Sequence, residues 1–395
     1  MNYVKFQDKE LSQLGFGAMR FPMTKPNGPI DEEKALEMVK YAYENGVNYF
    51  DTAFFYHNGD SEAFIGKALA RFPRDTWYLA SKFPGNIIEI VDGKIKVDGS
   101  LIKDSTRTYE SAADIFEHQL EKCGVEYFDF YLLHNLAEFT YDLYTDEKIG
   151  IVEYLLEQKK LGRIKHFGFS MHCNYDTLKK FLEKYDCFEF AQVQINYLDW
   201  TLQKASKKHE LLTKHGLPIV VMEPVRGGKL AKPGKESVEM LKAARPDLSP
   251  AAWALRYVQS LPNIAVILSG MSTMEQVAEN IETCSKNDPL TKADYAILNQ
   301  IVESMRDFVP CTACRYCCNT CPRMLDIPML IMAYNEAMLE YSWYVRDIIG
   351  ALEEHEKPAA CIKCGACNPH CPQGIDIPDI MVKFADMIEK KQEEK

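Results

Sequence analysis

The chain has 395 residues, 47% hydrophobic and 26% charged, a globular composition that argues against extensive disorder and leaves room for one large and one small domain. Its formal charge of -11 disfavours a nucleic-acid surface, no run of about 18 apolar residues is present to span a membrane, and Met1 to Glu10 carries charges without the apolar stretch of a secretory signal. A reducing, cytoplasmic setting is expected, which turns the 13 cysteines away from disulfides and toward metal chemistry.

In chain order, short apolar runs alternate with amphipathic stretches. Strands are predicted at Leu14 to Arg20, Val47 to Ala53, Trp77 to Phe83, Phe128 to His134, Ile164 to Ser170, Ala191 to Tyr197, Ile219 to Pro224 and Ile264 to Ser269. Helices are predicted at Asp31 to Asn45, Ser61 to Phe72, Ser111 to Lys122, Asp146 to Lys160, Tyr175 to Tyr185, Lys204 to His215, Pro250 to Gln259 and Met274 to Thr283. Such alternation over about 280 residues predicts an α/β fold, a (β/α)8 TIM barrel, with its site at the C-terminal ends of the strands. Polar residues that finish apolar strands are the candidates: Asp51, Lys82, His134, Ser170, Gln192 with Asn196, and Glu223. The connection from Gly85 to Ser105 is long for a barrel, and Asp92-Gly93 and Asp98-Gly99 around Lys94 to Val97 predict a small hairpin over the barrel mouth that shapes substrate access. His57 is read as a rim residue.

Beyond the barrel, nine cysteines fall between Cys311 and Cys371. Cys311, Cys314, Cys317 and Cys321 precede Pro322; Cys361, Cys364, Cys367 and Cys371 precede Pro372. Each run reads C-x2-C-x2-C-x3-C-P, a spacing that converges three thiolates from one tight loop and sends the fourth to a neighbouring site. Leu325-Asp326-Ile327-Pro328 repeats as Ile375-Asp376-Ile377-Pro378, an internal duplication. Between the runs, Ile327, Leu330, Ile331, Tyr334, Met338 and Tyr341 recur at helical spacing. The chain divides into a barrel over 1–290, a helical linker over 291–310 and a cysteine-rich domain over 311–395. Cys318 stands outside the pattern as a neighbouring thiol.

The cysteine runs resemble a two-cluster ferredoxin, and the helical spacing between them its α-helical variant. The resemblance implies two [4Fe-4S] clusters, one on Cys311, Cys314, Cys317 and Cys371, the other on Cys361, Cys364, Cys367 and Cys321. Zinc on the CxxC pairs is the alternative, though it leaves the third cysteine and the following Cys-Pro unexplained in both runs.

Phe50-Asp51-Thr52-Ala53-x-x-Tyr56, Ser61-Glu62 and Gly66-Lys67-Ala68-Leu69 resemble the opening signature of the aldo-keto reductases. Leu14 to Gly17, Ser81-Lys82, Leu132 to His134, Gly162-Arg163-Ile164, Gly168-Phe169-Ser170 and Glu279-Asn280 extend the likeness over residues 10 to 285. It implies nicotinamide-dependent reduction or oxidation of a small carbonyl substrate, with Tyr56 as proton donor, Lys82 as the cation lowering its pKa, Asp51 as the lysine's counter-charge and His134 orienting the carbonyl. Ser170 and Gln192 correspond to carboxamide ligands, Met222 stands where many members place a tyrosine on the nicotinamide ring, and Arg226, Gly228 and Lys229 lie in the glycine loop over the pyrophosphate. Gly270, Ser272, Gln276, Glu279 and Asn280 occupy the phosphate-reading loop. No Arg or Lys appears between Ser269 and Asn280, so NADH, NADPH and a flavin all stay open.

A cluster passes single electrons and a nicotinamide a hydride, so three readings follow. The clusters link the barrel site to an outside donor or acceptor, they stabilise the chain or sense redox state beside a self-sufficient reductase, or the chain is a non-catalytic electron-transfer subunit. A redox partner such as a ferredoxin or flavodoxin would meet this acidic chain through a basic patch.

Overall fold

The structure is a computed structural model describing residues 1–25, 28–97, 107–304, 309, 311, 315, 317–318, 320–339, 341, 343–371 and 373–393. Asp98-Gly99 and Cys314 lie outside the described residues.

The chain begins with an antiparallel pair, β1 (Tyr3–Phe6) and β2 (Lys9–Ser12), which the sequence reading did not anticipate. Eight parallel strands close into a barrel: β3 (Leu14–Gly17), β4 (Tyr49–Asp51), β5 (Tyr78–Phe83), β8 (Phe128–Leu136), β9 (Ile164–Met171), β10 (Ala191–Gln194), β11 (Ile219–Met222) and β12 (Ile264–Gly270), with β12 returning to β3. The predicted (β/α)8 barrel is what forms. Between β5 and β8, β6 (Ile88–Val91) and β7 (Lys94–Val97) pair as the expected hairpin, and Asp92 and Gly93 turn it with φ of 53° and 75°. None of its described residues lines the central cavity; Asn86, just before it, does.

Inside the barrel, Tyr49, Phe130, Phe190 and Leu268 fill the lower layers, and β1 and β2 close that end with Phe6 and Leu11. Phe6 meets Phe130 edge-on at 5.3 Å. The upper end is left to polar side chains. Several strands stop short of their predicted ends, so Met19, Arg20, Asn196 and Glu223 lie on loops. At β8 the pairing slips between Leu133 and Leu136 and Asn135 takes a left-handed φ of 59°, a bulge that re-aims the strand end.

Helices pack outside. Asp31 caps Glu32–Glu44 through the Lys34 amide, and Ser111 and Asp114 form a capping box on Ala112–Cys123, ended by left-handed Gly124. Of the helix predicted from Asp146, the part Ile151–Lys160 forms, starting after left-handed Gly150 at φ 66°, and a separate short helix, Tyr141–Thr145, precedes it. Lys235–Ala244 is an additional helix. In the predicted linker, Lys292–Ser304 buries Leu298 and Ile301 in the barrel core, so this helix belongs to the barrel's packing.

A second core forms around the helices Ile327–Leu339, Trp343–Gly350 and Ile377–Glu393. The duplication is visible in it: Ile327 N–H donates to Leu325 O and Ile377 N–H to Ile375 O, so both copies start a helix by the same turn. No described helix is long and apolar enough to cross a membrane.

Candidate functional site

A cavity of about 620 Å³ opens among the C-terminal strand ends, within the size range of small-molecule and cofactor sites. Asp51, at the end of β4, and Lys82, on β5, are both buried. Lys82 Nζ donates to Asp51 Oδ1 at 2.7 Å, to Thr52 O at 2.7 Å and toward the Tyr56 hydroxyl at 3.5 Å. Burial drives the Lys82 ammonium down and the Asp51 carboxyl up; for the lysine the attraction of Asp51 and Tyr56 outweighs burial, leaving it above its ordinary value and charged. Tyr56 corrects an expectation. Burial raises its phenol, and Lys82, placed to lower it, only partly offsets that, so the hydroxyl keeps its proton above the ordinary value.

Tyr56 is held by a strained turn. His57, Asn58 and Gly59 follow it with φ of 53°, 55° and 94°, left-handed conformations that cost about 1 kcal/mol or more each for the two non-glycine residues. Lys122 clamps the turn by donating to Phe54 O and Gly59 O, and it pairs with fully buried Glu62 at 2.7 Å. His57 Nε2 accepts from the Phe21 amide at 3.1 Å.

His134 lies in the cavity wall, stacked on Phe55 at 5.1 Å and edge-on to Tyr56 at 6.0 Å. Burial, then Lys82, holds its imidazole well below the usual value, so it is neutral. Asn86, Asn135 and His172 also line this side; sequence reasoning missed them because Asn86 and His172 lie just beyond strand ends and Asn135 sits in the β8 bulge, positions that only the closed barrel aims at the cavity.

On the other side, the register sets Gln192 beside Ser170. Gln192 Nε2 faces Met222 Sδ at 3.8 Å, while Gln192 Oε1 and Asn135 Oδ1 are buried without partners, two acceptors at the cavity wall. Such orphaned atoms fit an amide-bearing ligand, as a nicotinamide carboxamide is. Ser170 Oγ accepts from Asn135 N–H and does not line the cavity. Gly228, Gly270, Ser272, Gln276, Glu279 and Asn280 do line it, but Arg226 does not: its Nε bonds buried Asp199 at 3.2 Å. Lys229 likewise pairs with Glu336 of the second domain.

The cysteines surround two further cavities. Cys321 joins Cys361, Cys364 and Cys367 around one, with apolar walls from Leu325, Ile327 and Met381. Cys371 joins Cys311 and Cys317 around the other. The last cysteine of each run thus sits with the other run, and the apolar, thiol-ringed spaces fit a cubane cluster. Cys318 lies outside both linings, packed against the second core.

Residues 13–303 match the family model described as "Aldo/keto reductase family", and residues 310–376 the one described as "4Fe-4S dicluster domain". "Probable aldo-keto reductase 1" of Glycine max is 30% identical over 225 residues, covering 56% of this chain and 58% of that protein, less than two thirds of its length. "NADH-specific methylglyoxal reductase" of Escherichia coli is 23% identical over 325 residues, covering 75% of this chain and 97% of that protein. In fold, the chain matches the aldo-keto reductase AKR11C1 from Bacillus halodurans in its holo form with a TM-score of 0.58 and 25% identity, over 76% of this chain and 96% of that one. With this barrel, this site and this match over most of its length, the chain belongs to the aldo/keto reductase family and is an oxidoreductase that carries a 4Fe-4S dicluster domain behind its barrel.

Proposed function

We propose that the barrel cavity reduces, and in reverse oxidises, a small carbonyl substrate with a nicotinamide dinucleotide, and that the two [4Fe-4S] clusters carry electrons to or from an outside partner in a reducing, cytoplasmic setting. The observation that carries the reading is the Asp51, Lys82 and Tyr56 chain of contacts ending in the same cavity as the unpartnered Gln192 Oε1. When bound, reduced nicotinamide would supply the hydride for the carbonyl carbon. As the C=O π pair moves onto oxygen, Tyr56 hands that oxygen its proton, and Lys82 stabilises the phenolate until solvent reprotonates it. Neutral His134 orients the carbonyl beside Tyr56, and Asp51 holds the lysine in place. Gln192, with Ser170 behind it, receives the carboxamide. NADH is the preferred form: the loop after β12 has no Arg or Lys, and one relative is named as NADH-specific.

The cluster ligands are Cys311, Cys314, Cys317 and Cys371, and Cys361, Cys364, Cys367 and Cys321. Exposed Cys364, with Ile362 at 59% exposure beside Cys361 and Met324 at 87% three residues after Cys321, supports an outside electron partner at the second cluster. Exchange with the nicotinamide requires a flavin or another two-electron relay.

Tyr56→Phe should lower carbonyl reduction by roughly 100- to 10,000-fold while nucleotide binding stays within a few-fold; undiminished turnover removes the acid role. For the clusters, anaerobic protein should hold about eight iron and eight sulfide per chain. Reduced nucleotide should bleach them only with added flavin, and zinc in their place sinks the electron-transfer reading.

A further inference from the structure

We propose that Arg20, from the loop after β3, is the cation that receives the diphosphate of the bound dinucleotide, and that Glu223, which flanks the same glycine loop, opposes it there. The inference rests on the nicotinamide reading above and asks where so acidic a cavity finds a positive charge. Asp51, Glu223 and Glu279 all line it, and Arg20 is the one Lys or Arg among its described lining residues. The cations that the sequence offers, Arg226 and Lys229, are turned to Asp199 and Glu336. A dianionic bridge that entered without a cation would face net repulsion.

The placement of Arg20 is specific. Its stem lies across Gly270, where an added Cβ would come within 3.1 Å of Arg20 Cδ, and its Nη2 reaches Gly227 of the glycine loop, 3.3 Å from where a Cβ would stand. Glu223 Oε2 is 3.6 Å from that same point. Ser272 Oγ donates to the Arg20 backbone carbonyl and ties that loop to the loop after β12. Arg20 thus spans from the end of β12 to the glycine loop, whose Gly227 and Gly228 at φ 64° and 96° expose backbone to whatever lies between. Glu223 is held there with a left-handed φ of 56°, an uncommon state for a non-glycine residue that persists where the surroundings enforce it. Arg20 Nη2 and Glu223 Oε2 thus flank the same point beside Gly227. With nucleotide bound, Arg20 meets phosphate oxygens as a planar, multidentate donor.

Titrating the full-length holoprotein with NADH and NADPH by fluorescence tests this. Arg20→Ala should weaken both nucleotides alike, by roughly 10- to 100-fold, and flatten the salt dependence of binding. Arg20→Lys should recover part of the loss, and Glu223→Gln should tighten both nucleotides several-fold. Reduced nicotinamide riboside, which has no diphosphate, should bind unaltered protein and Arg20→Ala equally. Unchanged dinucleotide affinity in Arg20→Ala overturns the proposal, as does a loss confined to NADPH, which would make Arg20 a reader of the 2'-phosphate, or an equal loss for the riboside. If neither dinucleotide binds unaltered protein, the nicotinamide reading falls first and this one with it.

Discussion

Tyr56 shows how much of this site depends on solvent exclusion. A lysine beside a phenol lowers its pKa in water; here the same burial that strengthens their attraction also penalises the phenolate, and burial wins. The donor form therefore persists past the ordinary value of about 10, so no fall in reduction assignable to Tyr56 should occur between pH 7 and pH 10. His134, depressed by burial, should show no ring titration between pH 5 and pH 8 by NMR; a transition there would contradict its neutral role. Lys82→Met should abolish reduction and cost about 3 to 5 kcal/mol of stability, because it strands the Asp51 carboxylate in the interior. Asp51→Asn with Lys82→Met should regain much of the stability and none of the activity, a separation that thermal melts and turnover measure together.

At the scale of elements, the helix Ala112–Cys123 does more than cover the barrel. Gln119 Nε2 donates to Lys82 O and to Glu62 Oε1, and Lys122 clamps the turn after Tyr56, so one helix face holds both proton-handling residues in register. Lys122→Met should lower thermal stability and reduce kcat more than it raises KM, since the turn loses its clamp while the cavity keeps its shape. The same helix buries His118, hydrogen-bonded to Tyr109 at 2.7 Å and pushed down to about 4 by burial. A histidine depressed below its unfolded value of about 6.5 binds more protons when unfolded, so its share of stability is present above pH 6.5 and is lost as pH falls toward 4. The melting temperature should decline over that interval, and His118→Asn should flatten the decline.

Across the whole molecule, the described residues join the two cores at Met338, which packs against both, and at Glu336, which pairs with Lys229 of the glycine loop. The smaller core is too modest to be secure without its clusters, as metal binding is folding energy in small domains. Anaerobic removal of iron should therefore abolish a separate calorimetric transition of the cysteine-rich domain and leave barrel unfolding near its original temperature; loss of both transitions together would show one cooperative unit. The barrel itself was legible because eight apolar runs of β spacing alternate with amphipathic stretches, and the cluster domain because its cysteine spacing has few other uses. The hairpin β1 and β2 was not, since its short strands mix charge with apolar side chains of which the buried pair, Phe6 and Leu11, has its purpose set by the barrel end they close.

The linear chain by itself determined the barrel, its strand-end Asp51, Lys82 and His134 and the duplicated cysteine runs, because periodicity and ligand spacing are local properties, while Tyr56 and the crossing of the last cysteines came from family resemblance. Tertiary structure alone decided which charges face the cavity. Arg226 and Lys229 stand in the loop a reader of sequence would choose, yet both are bound to carboxylates elsewhere, while Arg20, some 200 residues earlier, lies across Gly270 and reaches Gly227. It decided the protonation of Tyr56 as well. Closing the ring of strands brings distant loops to one mouth and removes water from it, and neither effect has a local trace in the sequence.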